Sequence, residues 1–542
     1  MSATALATSA EYLAAVQAHL GANDLTGALR VAEQAAACHP RDLACQLQLG
    51  SILEQAGRRA DAAAHYRVVW TQHPDNPWVA ARLAAALARV GRGEEALALY
   101  HAAIADAPMT EAERTQIARQ IAAPLRRNKD AAALLAARVP VTPDDAALLR
   151  EAGSAAASTE RLADAVDYLD RSAAREALPG WAHAIRIDAR SKLARRSRLW
   201  PPVDAELVAA LQEALAQHPH NPAFVRFLNR LPIAREAWLR LYARVRDTVE
   251  LRSKDGFLLY ETMLAALQAN DRRLAEALIA ALAPGSEWAR RAAPIADVLR
   301  RVPAAVWARS RLDDDKAAEL QIVRTPGADA TLLVFATLTG NFMMLPLAML
   351  DALLADLPVH VVYLRDTTSH APGLRGFRSF GLRVDDTIAR LRQEISGLGA
   401  SRLLTLGASA SGLSAIRYGA RLGAERATTF GALTSLGPEF GHAAIRSGRL
   451  TMSAVAEAEM RFRDVAAEMA AAPAMRVAFH YGAQYQLDVD HADRVRHLPG
   501  VTVHPAIGVD HHYVVLSLIA DGTFRDAVWS DRPASPSPVI SA

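Results

Sequence analysis

The first half of the chain repeats itself with a period of 34 residues. Shifting the sequence by that length brings identical residues into register: Pro40 with Pro74 and Pro108, Ala28 with Ala62 and Ala96, Gly57 with Gly91, and Tyr66 with Tyr100. Each type has a structural role, because glycine ends one helix, proline stops the next, alanine lets two helices approach closely, and tyrosine fills the groove beside it. The period therefore predicts a helix-turn-helix unit.

This pattern resembles the tetratricopeptide repeat, and the resemblance is specific over residues 10–108. Alanine-rich amphipathic segments such as 144–157, 207–217 and 256–282 then keep the helical period without the full repeat. We expect repeats over 1–108 and degenerate repeats that continue the solenoid over 109–308. The resemblance implies a concave surface for a protein or peptide partner. A scaffold that only dimerises or packs is the simpler alternative.

The second half of the chain alternates short apolar runs with helical stretches. Residues 309–330 are interpreted as a linker carrying the first strand, and 331–530 as a separate domain. Seven runs predict strands: Leu320–Val323, Thr331–Phe335, Val359–Leu364, Arg402–Leu406, Ala427–Phe430, Arg476–Tyr481 and Val501–His504. Strands that alternate with helices indicate an α/β fold, with a mostly parallel sheet covered on both faces. The chain is thus predicted to be multidomain, with an all-α solenoid followed by an α/β domain.

Two segments need separate interpretation. Residues 331–350 carry no charge over about the length that spans a bilayer. Gly340, Asn341 and Pro346 interrupt this segment, so we expect a buried strand, a loop and an apolar helix. Residues 531–542 contain three prolines and several serines, which predicts a mobile tail.

Composition narrows the class of protein. Lysine and arginine number 61 against 58 acidic residues, and the net charge of +3 gives little support for a nucleic-acid partner. Cys38 and Cys45 are the only cysteines, which excludes a disulfide framework and fits a reducing cytoplasm. Residues 1–10 lack the basic start and apolar centre of a secretory signal. We therefore expect a cytoplasmic protein without a membrane span.

The segment around Ser409 predicts a strand, a sharp turn and a helix. Residues 403–406 run into Gly-Ala-Ser-Ala-Ser-Gly at 407–412, and a helix-like stretch with a small-residue face follows. A serine at the tip of such a turn stands at the end of a sheet, where the backbone N–H of Ala410 can stabilise an oxyanion. The usual signature is G-x-S-x-G, whereas here Ser411 takes the fifth place and the glycine arrives one position later. Ser409 is the predicted nucleophile.

A serine hydroxyl needs a histidine to accept its proton and an acid to orient that histidine. Carboxylates follow the sixth predicted strand, and Asp488 is the predicted acid. Asp490 and Asp493 are alternatives, although a helix start would give both an ordinary capping role. The loop after the last strand carries two adjacent histidines, of which His511 is the predicted base and His512 the alternative.

The order serine, aspartate, histidine is the chain order of an α/β-hydrolase, a family that residues 331–528 resemble. In that family the loop after an early strand supplies the second oxyanion donor. The corresponding loop here is 335–341, and the resemblance implies that the backbone N–H of Thr337 or Leu338 pairs with that of Ala410. The usual histidine-glycine start of that loop is absent.

The sequence contains other polar clusters that bear on substrate or metal binding. Arg365 and Asp366 follow the third strand and either recognise substrate or form an ion pair that fixes a loop. The C-terminal histidines and aspartates have no dependable metal spacing: His491, Asp493, His497, His504, His511 and His512. No phosphate loop or dinucleotide fingerprint is present in the sequence. We predict a site without metal or cofactor.

The predicted function is that of a serine hydrolase acting on an ester, thioester or related acyl substrate through Ser409, His511 and Asp488. The repeats would bring a protein partner or a carrier-bound substrate to the site. Two alternatives remain. One is a non-catalytic interaction scaffold with a pseudo-hydrolase domain, and the other is an acyltransferase that uses the same site.

Overall fold

The computed structural model describes residues 8–196, 203, 205–367, 373, 376–381, 383–435 and 464–529. The chain divides into two compact units, residues 1–190 and 191–542. The predicted tail at 531–542 lies outside the described residues. The boundaries predicted at 108 and 308 both fall inside a unit and stay predictions.

The first unit consists of helices, each packed on the next. They are α1 (Ser9–Gly21), α2 (Leu25–Cys38), α3 (Leu43–Gln55), α4 (Arg59–Gln72), α5 (Pro77–Arg89), α6 (Gly93–Ala103), α7 (Glu111–Ala122), α8 (Lys129–Arg138), α9 (Ala146–Ser158), α10 (Leu162–Ala173) and α11 (Gly180–Arg196), which crosses the division between the units.

The repeat pattern explains where these helices begin and end. Asp42 and Asn76 cap α3 and α5 through side-chain oxygens that accept backbone N–H groups. Gly57 and Gly91 follow α3 and α5 with φ of 75° and 83°, a conformation that favours glycine. Helical, tetratricopeptide-like architecture in the N-terminal region is therefore confirmed.

The tyrosine of the repeat lies against a glycine of the preceding helix. Tyr66 of α4 is fully buried. A Cβ added at Gly50 of α3 would overlap the Tyr66 ring. The absent side chain at position 50 therefore determines how closely α3 and α4 approach.

The second unit begins with helices α12 (Ala205–Gln217), α13 (Pro222–Arg230), α14 (Arg235–Thr248), α15 (Gly256–Gln268), α16 (Arg272–Ala281), α17 (Glu287–Arg301) and α18 (Ala304–Trp307). They share this unit with a seven-stranded sheet. Its strands are β1 (Leu320–Val323), β2 (Ala330–Phe335), β3 (Val359–Leu364), β4 (Arg402–Ala408), β5 (Arg426–Phe430), β6 (Arg476–Gly482) and β7 (Val501–Ala506).

Helices α19 (Leu347–Leu354), α20 (Val384–Ser396), α21 (Ala410–Leu422), α22 (Val465–Ala470), α23 (Gln486–Val495), α24 (Val514–Ala520) and α25 (Phe524–Trp529) alternate with the strands. The strand order is β1-β3-β2-β4-β5-β6-β7, and only the β1–β3 pair is antiparallel. The seven predicted strands and the mostly parallel sheet are confirmed.

Register aligns the carboxyl ends of the central strands. Phe335 of β2 pairs with Gly407 of β4, and Ala408 of β4 pairs with Phe430 of β5. Phe430 in turn pairs with His480 of β6. The segments that follow these strands therefore leave the same edge of the sheet, and this edge carries the predicted site residues.

The uncharged segment 331–350 also folds as expected. The strand Ala330–Phe335 is buried along its whole length, a loop follows, and the helix Leu347–Leu354 completes the segment. Among the described residues, no helix combines the length and apolar character needed to cross a membrane.

We predict that Gly50→Ala destabilises the first unit by about 1–3 kcal/mol, because the added methyl group meets a ring that has no room to move. Gly21→Ala is the control, since a Cβ at that position meets open space and should change stability by less than about 0.5 kcal/mol. Urea unfolding followed by far-ultraviolet circular dichroism measures both. Equal unfolding midpoints for the two variants would contradict the packing argument.

Candidate active site

Ser409 occupies the turn between β4 and α21, and its backbone is unusual. It has φ of 51° and ψ of −129°, outside the regions that non-glycine residues normally adopt. Such a conformation costs about 1–3 kcal/mol and persists only where its surroundings enforce it. Three backbone hydrogen bonds of 3.0 Å do so: the N–H of Ser409 donates to Phe430 O, and the carbonyl of Ser409 accepts from the N–H groups of Gly412 and Leu433. The turn holds the partly exposed side chain at the sheet edge.

The serine at position 411 has a structural role. The Ser411 hydroxyl donates to Ala408 O at 2.8 Å and accepts a hydrogen bond from the N–H of Ala408 at 3.1 Å. The side chain is fully buried. Gly412 then lets α21 approach β5, because a Cβ there would overlap Ala432. The departure from the G-x-S-x-G signature is therefore accommodated by a hydrogen bond and by a glycine one position later.

His512 joins the serine to a carboxylate. Its Nε2 lies 2.8 Å from Ser409 Oγ, and its Nδ1 lies 2.6 Å from Asp488 Oδ1. The carboxylate requires the proton on Nδ1, which leaves Nε2 to accept the proton of the serine hydroxyl. The three side chains form a continuous row of hydrogen bonds.

The carboxylate of Asp488 is buried and closely confined. Its side chain is 1% exposed, and the N–H of Gly482 donates to its Oδ2 at 3.4 Å. A Cβ at Gly431 would lie 2.8 Å from Oδ2, so the glycine leaves room for the carboxylate. The two alternative carboxylates bind elsewhere: Asp490 accepts from Gln486 and Asp493 pairs with Arg496.

The structure places the alternative histidine, and not the predicted one, beside Ser409. Within the described part of the chain His511 makes no hydrogen bond to Ser409, and its Nδ1 accepts one from the N–H of Tyr513 at 3.2 Å. Burial also lowers the pKa of His511. The alternative, His512, occupies the position between serine and aspartate. Adjacent side chains in this loop point in different directions, and sequence spacing alone did not distinguish them.

The two predicted oxyanion donors in the loop after β2 differ in their hydrogen bonds. The N–H of Thr337 donates to Asn341 O at 2.7 Å, so this predicted donor is already engaged. The carbonyl of Thr337 accepts from the N–H of Gly340 at 2.9 Å. Since C=O and N–H lie on opposite sides of a trans peptide, the N–H of Leu338 points away from the turn. Neither it nor the N–H of Ala410 donates to any residue in the described part of the chain.

Arg365 forms an ion pair with Asp314 and not with its neighbour Asp366, the partner that the sequence suggests. It is buried, and its Nη2 lies 2.5 Å from Asp314 Oδ1. Its Nε donates to Gly340 O at 2.8 Å. Lys316, also buried, lies 3.5 Å from Thr339 O. Asp314 and Lys316 lie in the segment predicted to be a linker, and the signal for them in the sequence is the charge concentrated just before the first strand.

The described residues contain no group of three or more histidine, cysteine, aspartate or glutamate side chains arranged to hold a metal ion. His491, one of the histidines without dependable metal spacing, has its Nδ1 2.9 Å from the hydroxyl of Thr434.

Comparisons with known proteins concern the helical part. Residues 53–117 match the tetratricopeptide repeat family model. No curated protein matches the sequence. The region therefore has the repeat architecture of a protein-interaction scaffold, and no wider family assignment follows for the chain.

Several solved structures are similar in fold at low scores. PilW, a type IV pilus biogenesis factor, is 16% identical, with 41% of this chain and 98% of that chain covered and a TM-score of 0.34. The corresponding values for pilF of Pseudomonas aeruginosa are 14%, 40%, 96% and 0.32. For a tetratricopeptide repeat protein of Parabacteroides merdae they are 12%, 52%, 94% and 0.31. Scores this low carry no argument about function.

The strain at Ser409 gives a stability prediction. Ser409→Gly should be more stable than Ser409→Ala by about 1 kcal/mol, because glycine adopts positive φ without steric cost. Both variants lose the hydroxyl, so each serves as the control for the other. Thermal unfolding of the two proteins measures the difference. An alanine variant as stable as the glycine variant would show that the turn is unstrained.

Proposed function

We propose that the protein is a serine hydrolase that acts on an ester, thioester or related acyl substrate. The observation that carries the proposal is the row of hydrogen bonds from Ser409 Oγ through His512 to Asp488. A histidine with one nitrogen on a serine hydroxyl and the other on a buried carboxylate is the arrangement that activates serine as a nucleophile.

The geometry assigns each group a role in the reaction. As Ser409 Oγ attacks the acyl carbonyl, its proton passes to Nε2 of His512, and Asp488 stabilises the resulting imidazolium. The N–H groups of Ala410 and Leu338 are the proposed donors to the oxyanion. His512 then protonates the leaving group. In the second half of the reaction His512 takes a proton from water, which attacks the acyl carbon, and the bond to Ser409 Oγ breaks as His512 returns the proton to that oxygen.

The surrounding fold supports this reading. Ser409 lies in a strand–turn–helix at the carboxyl edge of a mostly parallel sheet, and the chain order is serine, aspartate, histidine. Both features are typical of α/β-hydrolases. Membership of residues 331–528 in that family is part of the proposal.

The repeat unit is proposed to recruit a protein partner or a carrier-bound substrate. The family match at 53–117 supports protein binding. This match also favours a second candidate function, an interaction scaffold whose α/β unit no longer turns over substrate, because the family match covers only the repeats. Acyl transfer is the third reading, in which an acceptor other than water attacks the acyl-enzyme.

A fluorophosphonate probe tests the nucleophile without knowledge of the substrate. The Ser409 Oγ–P bond forms as the P–F bond breaks, and fluoride leaves. We expect labelling at Ser409 only, and none in Ser409→Ala. His512→Ala should slow labelling by about 100-fold or more, since it removes the general base. The neighbouring variant His511→Ala is the matched control and should label at close to the wild-type rate.

Failure to label the folded wild-type protein would favour the scaffold function. Equal slowing in His511→Ala and His512→Ala would contradict the assignment of the base. Mass mapping of the labelled peptide distinguishes Ser409 from the nearby Ser411.

The carboxylates allow a second matched comparison. Asp488→Asn should slow labelling by about 100-fold or more, because an amide no longer holds the histidine in the required tautomer. Asp490→Asn, on the same helix and bonded to Gln486, should leave the rate unchanged. The labelling rates of the two variants test this assignment. Slow labelling of Asp490→Asn would show that Asp488 is not the acid.

A further inference from the structure

Six polar side chains are buried together in the second unit, where its helices meet the start of the sheet. We define them as the Lys316 cluster: Asn229, Glu261, Gln268, Asp314, Lys316 and Arg365. None of them belongs to the proposed catalytic row. Each is at most 9% exposed, and four of them are ionisable.

One side of the cluster holds the loop that follows β2. Arg365 Nε donates to Gly340 O at 2.8 Å, and Lys316 Nζ lies 3.5 Å from Thr339 O. Gly340 has φ of 76°, and a Cβ there would lie 3.2 Å from the Arg365 side chain. The two cations therefore bind consecutive carbonyls of the turn that presents the N–H of Leu338.

The other side of the cluster joins two helices to this loop. Lys316 Nζ donates to the carbonyl of Asn229 in α13, and Asn229 Nδ2 donates to the Glu261 carboxylate in α15 at 2.9 Å. Gln268, also in α15, donates to Asp314 Oδ2 at 2.8 Å. The loop and the helices are thus connected through a continuous set of hydrogen bonds.

Stability is a weak explanation for such an arrangement. Burial lowers the pKa of Lys316 to about 7 and raises that of Glu261, which reflects the cost of removing both charges from water. Apolar residues of similar volume are often as stabilising as a buried ion pair. A cluster retained at such cost is better explained by the geometry that it imposes on the loop.

We propose that Lys316 and Arg365 are positioning residues that hold the Leu338 N–H in place for the oxyanion, and that α13 and α15 support them. The proposal rests on the serine hydrolase function proposed above. The helices before the sheet then belong to the reaction site's supporting structure. Binding of substrate does not require the cluster, whereas stabilisation of the transition state does.

The test uses full-length protein and separates the maximal rate of fluorophosphonate labelling, kinact, from the inhibition constant, Ki. Arg365→Lys keeps the charge but loses the fork of donors that reaches Gly340. It should lower kinact by about tenfold or more, with Ki unchanged. Lys316→Met, which removes the donor near Thr339, should act in the same direction.

Arg311→Lys is the matched control. Arg311 also pairs with a buried aspartate, Asp351, at 2.9 Å, and its hydrogen bonds go to Asp351 and Thr325, which lie outside the loop 337–341. It should keep the wild-type kinact even where its thermal unfolding temperature falls as far as that of Arg365→Lys.

The outcomes are distinguishable. Labelled wild-type protein together with an Arg365→Lys variant of unchanged kinact would overturn the positioning role alone. Equal loss of kinact in Arg311→Lys and Arg365→Lys would assign the cluster to folding and also overturn it. Absence of labelling in wild-type protein would contradict the hydrolase function itself, and the positioning role with it.

Discussion

The backbone conformation of Ser409 is the constraint on which the rest of the site depends. A positive φ at this one residue turns the chain from β4 into α21 and leaves the hydroxyl at the sheet edge. The turn is held by hydrogen bonds to Phe430 and Leu433 and by the hydroxyl of Ser411. Because the carboxyl ends of β4, β5, β6 and β7 are aligned by strand pairing, the acid, in the helix after β6, and the histidine, in the loop after β7, reach the serine from the same edge.

The second unit holds the residues around Ser409 at two places. Beyond β6, the buried carboxylate of Asp488 orients His512, which contacts the serine. After β2, the Lys316 cluster binds the carbonyls of Thr339 and Gly340, in the same loop as the proposed oxyanion donor, the N–H of Leu338. The helices before the sheet share in the second support through Asn229. The repeats of the first unit provide the architecture of an interaction scaffold.

Local sequence patterns predicted the features that depend on local chemistry. The seven strands follow from apolar runs, the repeats from their 34-residue period, and the positions of Ser409 and Asp488 just after strands from the same apolar runs. The histidine was different, because His511 and His512 are adjacent and only the path of the loop decides which ring faces the serine. The hydrogen bonds of Thr337 and Lys316 could not be predicted for a related reason: their partners Asn341 and Asn229 are brought close by the folded chain and leave no pattern in the sequence.

A crystal structure of the protein after reaction with a phosphonate tests the central claim most directly. We expect phosphorus bonded to Ser409 Oγ, a phosphonyl oxygen within hydrogen-bond distance of the Ala410 and Leu338 N–H groups, and His512 still hydrogen-bonded to Asp488. An adduct on another residue, or a phosphonyl oxygen that faces away from both N–H groups, would contradict the proposed site.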